Sequence, residues 1–230
     1  MNNRYNRQMM LPEIGEEGQR KIRAAKVLLV GVGGLGSPIA TYLTGAGIGR
    51  IGIIDDDVVD ITNLHRQVLY TEEEAGLPKV ECAKRRLRTL NSEVEIDAHH
   101  MRLTKDNAKE LISRYDIVVD GIDNFATRYI VSDECQRQGK PYVYGAIRGL
   151  EGQVAVLCKG HCTYRSLLPD EEATLSMPHP GKAVLGTTPA VVGSVEACQV
   201  LQLVAEMGEP LVDKLWTVDL STMMSYVIEM

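Results

Sequence analysis

Val27-Leu28-Leu29-Val30-Gly31-Val32-Gly33-Gly34-Leu35-Gly36-Ser37, followed by a second apolar run that closes at Asp55, nineteen residues beyond Gly36, decides the fold. A β-branched strand over 26–30, a glycine turn, a helix of small and apolar residues over 35–46 and a strand over 50–54 make one right-handed βαβ crossover. Gly31 permits the tight turn, Gly33 lets backbone amides approach a phosphate with no Cβ in the way, Gly34 extends the same turn, and Gly36 lets the helix lie close to the sheet. The helix N-terminus points free N–H donors and its positive end at an anion. Asp55 stands where a carboxylate meets a ribose. Taken together these residues mark a nucleotide-binding chain, which a lone G-x-G-x-x-G would not.

Working outward, 15–25 carries helical spacing and 60–70 is polar and irregular. A helix starts at Pro78 and runs over 78–90, with Val80, Ala83 and Leu87 on one face. Strands over 93–98 and 117–120, helices over 105–114 and 124–138, and strands over 142–145 and 152–157 continue the alternation. This pattern predicts an α/β fold, a Rossmann-like, doubly wound and mostly parallel sheet. Residues 1–230 read as one domain: an arm and helix over 1–25, a core over 26–145, and an extension over 146–230. In the extension, 160–186 lacks periodicity and is expected to be a mobile loop, 188–207 is a long apolar helix, and 214–217 with 223–228 form a terminal antiparallel pair.

With 44% hydrophobic and 24% charged residues in 230, the chain buries a large core, and disorder is excluded. A net charge of −6 argues against a nucleic-acid-binding protein, and Lys79, Lys84, Arg85, Arg86 and Arg88 read as the solvated face of one helix. Five scattered cysteines do not make a disulfide framework. The N-terminus has no apolar signal region and no stretch approaches membrane-spanning length, so a cytoplasmic location without membrane attachment is expected.

The glycine turn and Asp55 alone also fit an NAD dehydrogenase. Three constellations point elsewhere. Asn63, Arg66 and Lys79 offer a cationic fork and a point charge just beyond the ribose acid, where a triphosphate extends. Asp123, at the carboxyl end of the fourth strand, suits either a Mg²⁺ ligand or a helix cap, with Asn124 beside it. Arg7 lies ahead of any core element. Asp57 completes the candidate nucleotide-binding set.

The ordered motifs Tyr5-Asn-Arg7-Gln8, Gly31-Val-Gly-Gly-Leu-Gly36, Asp55, Asn63-Leu-His-Arg66-Gln67, Pro78-Lys79-Val, Asp120-Gly-Ile-Asp123-Asn124 and Gly145-Ala-Ile-Arg-Gly-Leu-Glu-Gly-Gln153 together resemble the ThiF/MoeB/HesA family, bacterial relatives of ubiquitin-activating enzymes. The resemblance spans nearly the whole chain. It implies ATP- and Mg²⁺-dependent adenylation of the C-terminal glycine of a ubiquitin-like sulfur carrier, for thiamine thiazole or molybdopterin synthesis, by a homodimer, and it implies that the extension over 146–230 binds the carrier. Carried over by residue, Asp55 would bind the ribose, Asn63, Arg66 and Lys79 the triphosphate, and Asp123 the metal, while Arg7 would reach the neighbour's nucleotide. Adenylation of a small molecule or modified tRNA base, and nucleotide binding without turnover, are the alternatives.

Two family features are missing. The positions of the first zinc C-x-x-C pair read Thr163 and Ser166, no second pair follows, and Cys158 with Cys162 offers two ligands against four, so zinc is not expected. Where some members carry a reactive cysteine, this chain has His179 between two prolines.

Overall fold

The computed structural model describes residues 3–178 and 183–230. After a single 3-10 turn, the chain forms α1 (Asn6–Met9), α2 (Gly15–Ala24), β1 (Lys26–Val30), α3 (Gly36–Ala46), β2 (Arg50–Ile54), α4 (Lys79–Leu90), β3 (Glu95–His99), α5 (Lys105–Ser113), β4 (Ile117–Asp120) and α6 (Phe125–Gln138). It continues through β5 (Tyr142–Arg148), β6 (Glu151–Leu157), α7 (Tyr164–Leu167), α8 (Glu171–Ser176), α9 (Thr187–Ala205), β7 (Lys214–Asp219) and β8 (Met224–Glu229). Among the described residues the strands form one sheet in the order β3-β2-β1-β4-β5-β6-β7-β8. Pairing is parallel from β3 to β5 and antiparallel from β5 to β8.

Both faces are covered, as the uninterrupted apolar runs of β1 and β4 require. On one face Ile22, Leu43, Val80 and Val200 from α2, α3, α4 and α9 pack against Val27, Leu29 and Val119. On the other, Ile112, Tyr129 and Tyr164 from α5, α6 and α7 pack against Leu28, Val118 and Tyr142. The strand order reverses between β1 and β4, which opens the crevice at their carboxyl ends where ligands of such folds bind.

Three expectations need correction. The segment read as a mobile loop carries α7 and α8, too short to show a helical period and fastened by polar contacts. Arg165 pairs with Asp133 and Glu171, both at 2.7 Å, and the Tyr129 hydroxyl donates to the Leu168 carbonyl at 2.7 Å. His179 lies outside the described residues. Lys79 leaves the basic stripe: it is 4% exposed, because the first turn of α4 faces the crevice. Finally, Thr187–Ala205 is long and apolar enough to span a membrane by length and composition, but half of it is buried inside the fold, as a core helix packed on α3 and β5.

Candidate active site

Backbone meets backbone at the base of the crevice. A Cβ on Gly31 would lie 2.3 Å from the Gly121 carbonyl oxygen, and one on Gly36 2.2 Å from that of Gly31, so the exits of β1 and β4 approach this closely only with glycine at these places. Gly31 also has φ +89°, a conformation L side chains rarely adopt. The Tyr70 hydroxyl donates to the Val32 carbonyl at 2.7 Å and pins the turn from outside. Ser37 closes the first helical turn by donating from N and Oγ to Gly33 O, at 3.0 and 2.7 Å. Among the described residues no protein group accepts from the Gly33 or Gly34 N–H, which leaves these donors at the helix N-terminus for an anion.

Asp55 sits directly below. Its Oδ2 accepts from the Val32 amide at 2.8 Å and its Oδ1 from the Asp57 amide at 2.9 Å, so the carboxylate is oriented by backbone alone. Asp55, Asp56 and Asp57 bring their carboxylate oxygens within 4.8 Å of one another. These three carboxylates are already engaged, Asp56 with Arg102 at 3.1 Å and Asp57 with Lys79 at 2.9 Å, and they carry no metal reading.

A loop closes over the turn. Arg66 Nη2 donates to Asn63 Oδ1 at 2.7 Å, and its Cδ lies 3.6 Å from where a Cβ on Gly34 would stand. Lys79 enters from the start of α4 with its ammonium on Asp57. Its charge is therefore partly balanced before any nucleotide arrives, and phosphate competes with Asp57 for it.

At the end of β4 the cap role falls to Asn124 and not to Asp123. Asn124 caps α6, its Oδ1 accepting from the Thr127 amide at 2.9 Å, and Asp123 stands exposed, with only the Asn124 side-chain amide against it, at 3.3 Å, among the described residues. A hard oxygen donor just past a strand's carboxyl end and free of capping duty fits Mg²⁺.

Arg7 is not brought to this site. Tyr5 packs on Gly47, where a Cβ would lie 2.6 Å from its ring, and accepts from Asn91 Nδ2 at 2.8 Å. Gln8 Nε2 donates to the Ala46 carbonyl at 3.2 Å. Both anchors lie at the far end of α3, about 16 Å of helix away from the glycine turn at 1.5 Å per residue. Arg7 is exposed between them, and among the described residues it makes no ion pair.

The family model for ThiF matches residues 5–230. The chain belongs to the ThiF family. It is 46% identical over 224 residues to the sulfur carrier protein adenylyltransferase of Thermus thermophilus, covering 94% of this chain and 82% of that protein. The adenylyltransferase and sulfurtransferase MOCS3 of Aedes aegypti is 48% identical over 203 residues, and there the match covers 87% of this chain but only 46% of the longer relative. The crystal structure of E. coli MccB with ATP superposes with a TM-score of 0.84 at 26% identity, over 100% of this chain and 72% of that one. As an enzyme class, this ThiF-family chain is an adenylyltransferase, and ATP is its adenylyl donor.

Reading the sequence missed a buried layer beneath the site. Asp120, Arg128 and Glu196 are 0%, 7% and 0% exposed. Their signal was present: an acid closing the apolar run Ile-Val-Val, and the one charged residue within the apolar helix α9.

Proposed function

We propose that the protein activates the C-terminal glycine carboxylate of a ubiquitin-like sulfur carrier, in the cytoplasm and as a homodimer, for thiamine thiazole or molybdopterin synthesis. The observation that carries the reading is the pairing of free Gly33 and Gly34 amides with the exposed Asp123 carboxylate on opposite walls of the β1/β4 crevice. The names of the Thermus thermophilus and Aedes aegypti relatives support the substrate class.

The attacking group is already a carboxylate, so no general base is required. The work is to hold its oxygen in line with the α-phosphorus and to screen charge. The bond formed is from glycine oxygen to α-phosphorus, the bond broken is from α-phosphorus to the bridging oxygen, and pyrophosphate leaves with that oxygen. Asp55 orients the ribose, and the glycine-turn amides with Arg66 and Lys79 hold the phosphates. A Mg²⁺ ion carried by the nucleotide and held at Asp123 would add positive charge where the leaving group develops negative charge. Arg7 of a second copy supplies the remaining cation. Met10, Leu11 and Tyr42, 70%, 51% and 57% exposed around the arm, give that copy an apolar surface to cover.

The test is ATP–pyrophosphate exchange with purified carriers from both pathways. Exchange should require Mg²⁺ and an intact Gly-Gly terminus and should identify the pathway. Exchange with a small molecule or a tRNA and none with any carrier would replace this reading.

A further inference from the structure

One side chain joins the exit of β4 to the middle of β5. Arg128, on the first turn of α6, donates from Nε to Asp120 Oδ2 at 3.0 Å and from Nη2 to the carbonyls of Ile122 at 2.7 Å and Gly145 at 2.9 Å. Asp120 also accepts from the Tyr142 hydroxyl at 2.5 Å and from the Ile122 amide at 2.7 Å. Burial pulls the guanidinium pKa down, but the Asp120 charge together with Tyr144, Tyr142 and Tyr164 raises it by more, and Arg128 stays charged. The residue therefore spans two backbone segments with a fixed fork inside the protein, where each unmet hydrogen bond is costly.

Those two segments border the site. Residues 120–123 end in Asp123, the candidate metal ligand. Residues 145–149 run along the second half of β5 into the turn at Gly149: the Gly149 carbonyl accepts from Thr188 Oγ1 at 2.9 Å, and Cβ of Pro189, the residue after Thr188, lies 3.3 Å from where a Cβ on Gly34 would stand. Gly145 is also fixed from the opposite face, since a Cβ there would lie 2.2 Å from Glu196 Oε1.

We propose that Arg128 is a positioning residue that holds the Asp123 turn and the 145–149 segment as one preformed unit, so that the metal-bearing nucleotide and the carrier tail meet in a fixed relation. This rests on the adenylation reading above. Lysine at this position keeps the charge against Asp120 but has no fork with which to hold both carbonyls.

The experiment compares Arg128→Lys with Tyr142→Phe, which removes one bond to Asp120 and leaves the fork in place. For Arg128→Lys, kcat for exchange should fall about tenfold to a hundredfold, as expected for reacting groups displaced by about an ångström. The Mg²⁺ requirement and the carrier KM should rise together, while the ATP KM stays constant. Mn²⁺ binding to the ATP-loaded protein without carrier, read by electron paramagnetic resonance, should weaken for Arg128→Lys alone. Tyr142→Phe should lower Tm and leave the metal and carrier dependences unchanged. Wild-type Mn²⁺ binding and carrier KM in folded Arg128→Lys would overturn the proposal.

Should Arg128→Lys not fold, hydrogen exchange on the wild type decides the matter. Amides of 121–124, which belong to no strand or helix, should be equally protected with and without Mg·ATP, and protection that arises only on addition of Mg·ATP would refute a preformed unit. Lack of exchange with every carrier would count against the functional reading, while the Mn²⁺ and hydrogen-exchange results would still judge Arg128.

Discussion

Glu196 is a carboxyl with no hydrogen-bond partner for either oxygen among the described residues, fully buried on α9 against β5. Burial pushes its pKa well above the ordinary 4.5, with the Asp120 charge adding to the rise and Arg128 opposing it, so the folded protein keeps a proton that the unfolded chain releases. The sign follows from linkage: the stability from the neutral acid is whole below the ordinary carboxylate pKa and declines as pH rises toward the folded-state pKa, by up to about 1.4 kcal/mol per pH unit. Glu196→Gln removes that titration. Its Tm measured from about pH 5 to about pH 8 should fall less than that of the wild type, the gap widening with pH in favour of the variant, and parallel curves would show that Glu196 ionises without cost. Asp123 makes the opposite case, a carboxylate exposed on purpose. Asp123→Ala should leave Tm within experimental scatter and lower pyrophosphate exchange about a hundredfold or more, the scale of losing one preorganised charge partner. An unchanged rate would remove Asp123 from the mechanism.

At the scale of elements, legibility tracks how local the cause of each structure is. The β1 turn and β4 could be read because glycine spacing and an uninterrupted Ile-Val-Val run are determined by neighbours in sequence. For Lys79 the sequence offers both a solvated stripe and a phosphate-directed charge, and neither reading finds its partner, Asp57, which lies 22 residues away and is joined to it only by the fold. The same holds for Arg128, whose partners come from two strands, and for α7 and α8, whose anchors lie on α6. The turn before α7 is fastened by hydrogen bonds at the positions where the family resemblance would put the first zinc pair. Asp213, on the approach to β7, accepts from the Cys162 amide at 2.8 Å and pairs with His161 Nδ1 at 2.7 Å, while the Thr163 amide donates to Ser166 Oγ at 3.0 Å. A structural zinc needs four ligands, and Cys158 and Cys162 supply two thiols there. The purified protein should therefore contain far less than one zinc per chain by elemental analysis. Stoichiometric zinc lost on mutating either cysteine would overturn that expectation.

For the molecule as a whole, the N-terminal arm decides how many chains make a site. Tyr5 and Gln8 fasten it beside Gly47 and Ala46, and Arg7 between them faces solvent at the opposite end of α3 from its own glycine turn. No rotation of an arginine side chain spans that helix. If Arg7 serves the phosphates, it serves those of another copy, and each site is composite. Arg7→Ala and Asp123→Ala should then each be inactive as homodimers. Mixed under conditions that allow subunit exchange, half of the dimers pair one chain of each kind, and each such dimer holds one site with both defects and one site with neither. Activity should return to about a quarter of wild type when exchange is random. A flat result, with exchange verified by pull-down through a tag on one variant, would place Arg7 outside the neighbour's site. Partial return that rises with the time allowed for exchange would instead measure how slowly the two copies part, which is the expected behaviour if Met10, Leu11 and Tyr42 are covered in the dimer.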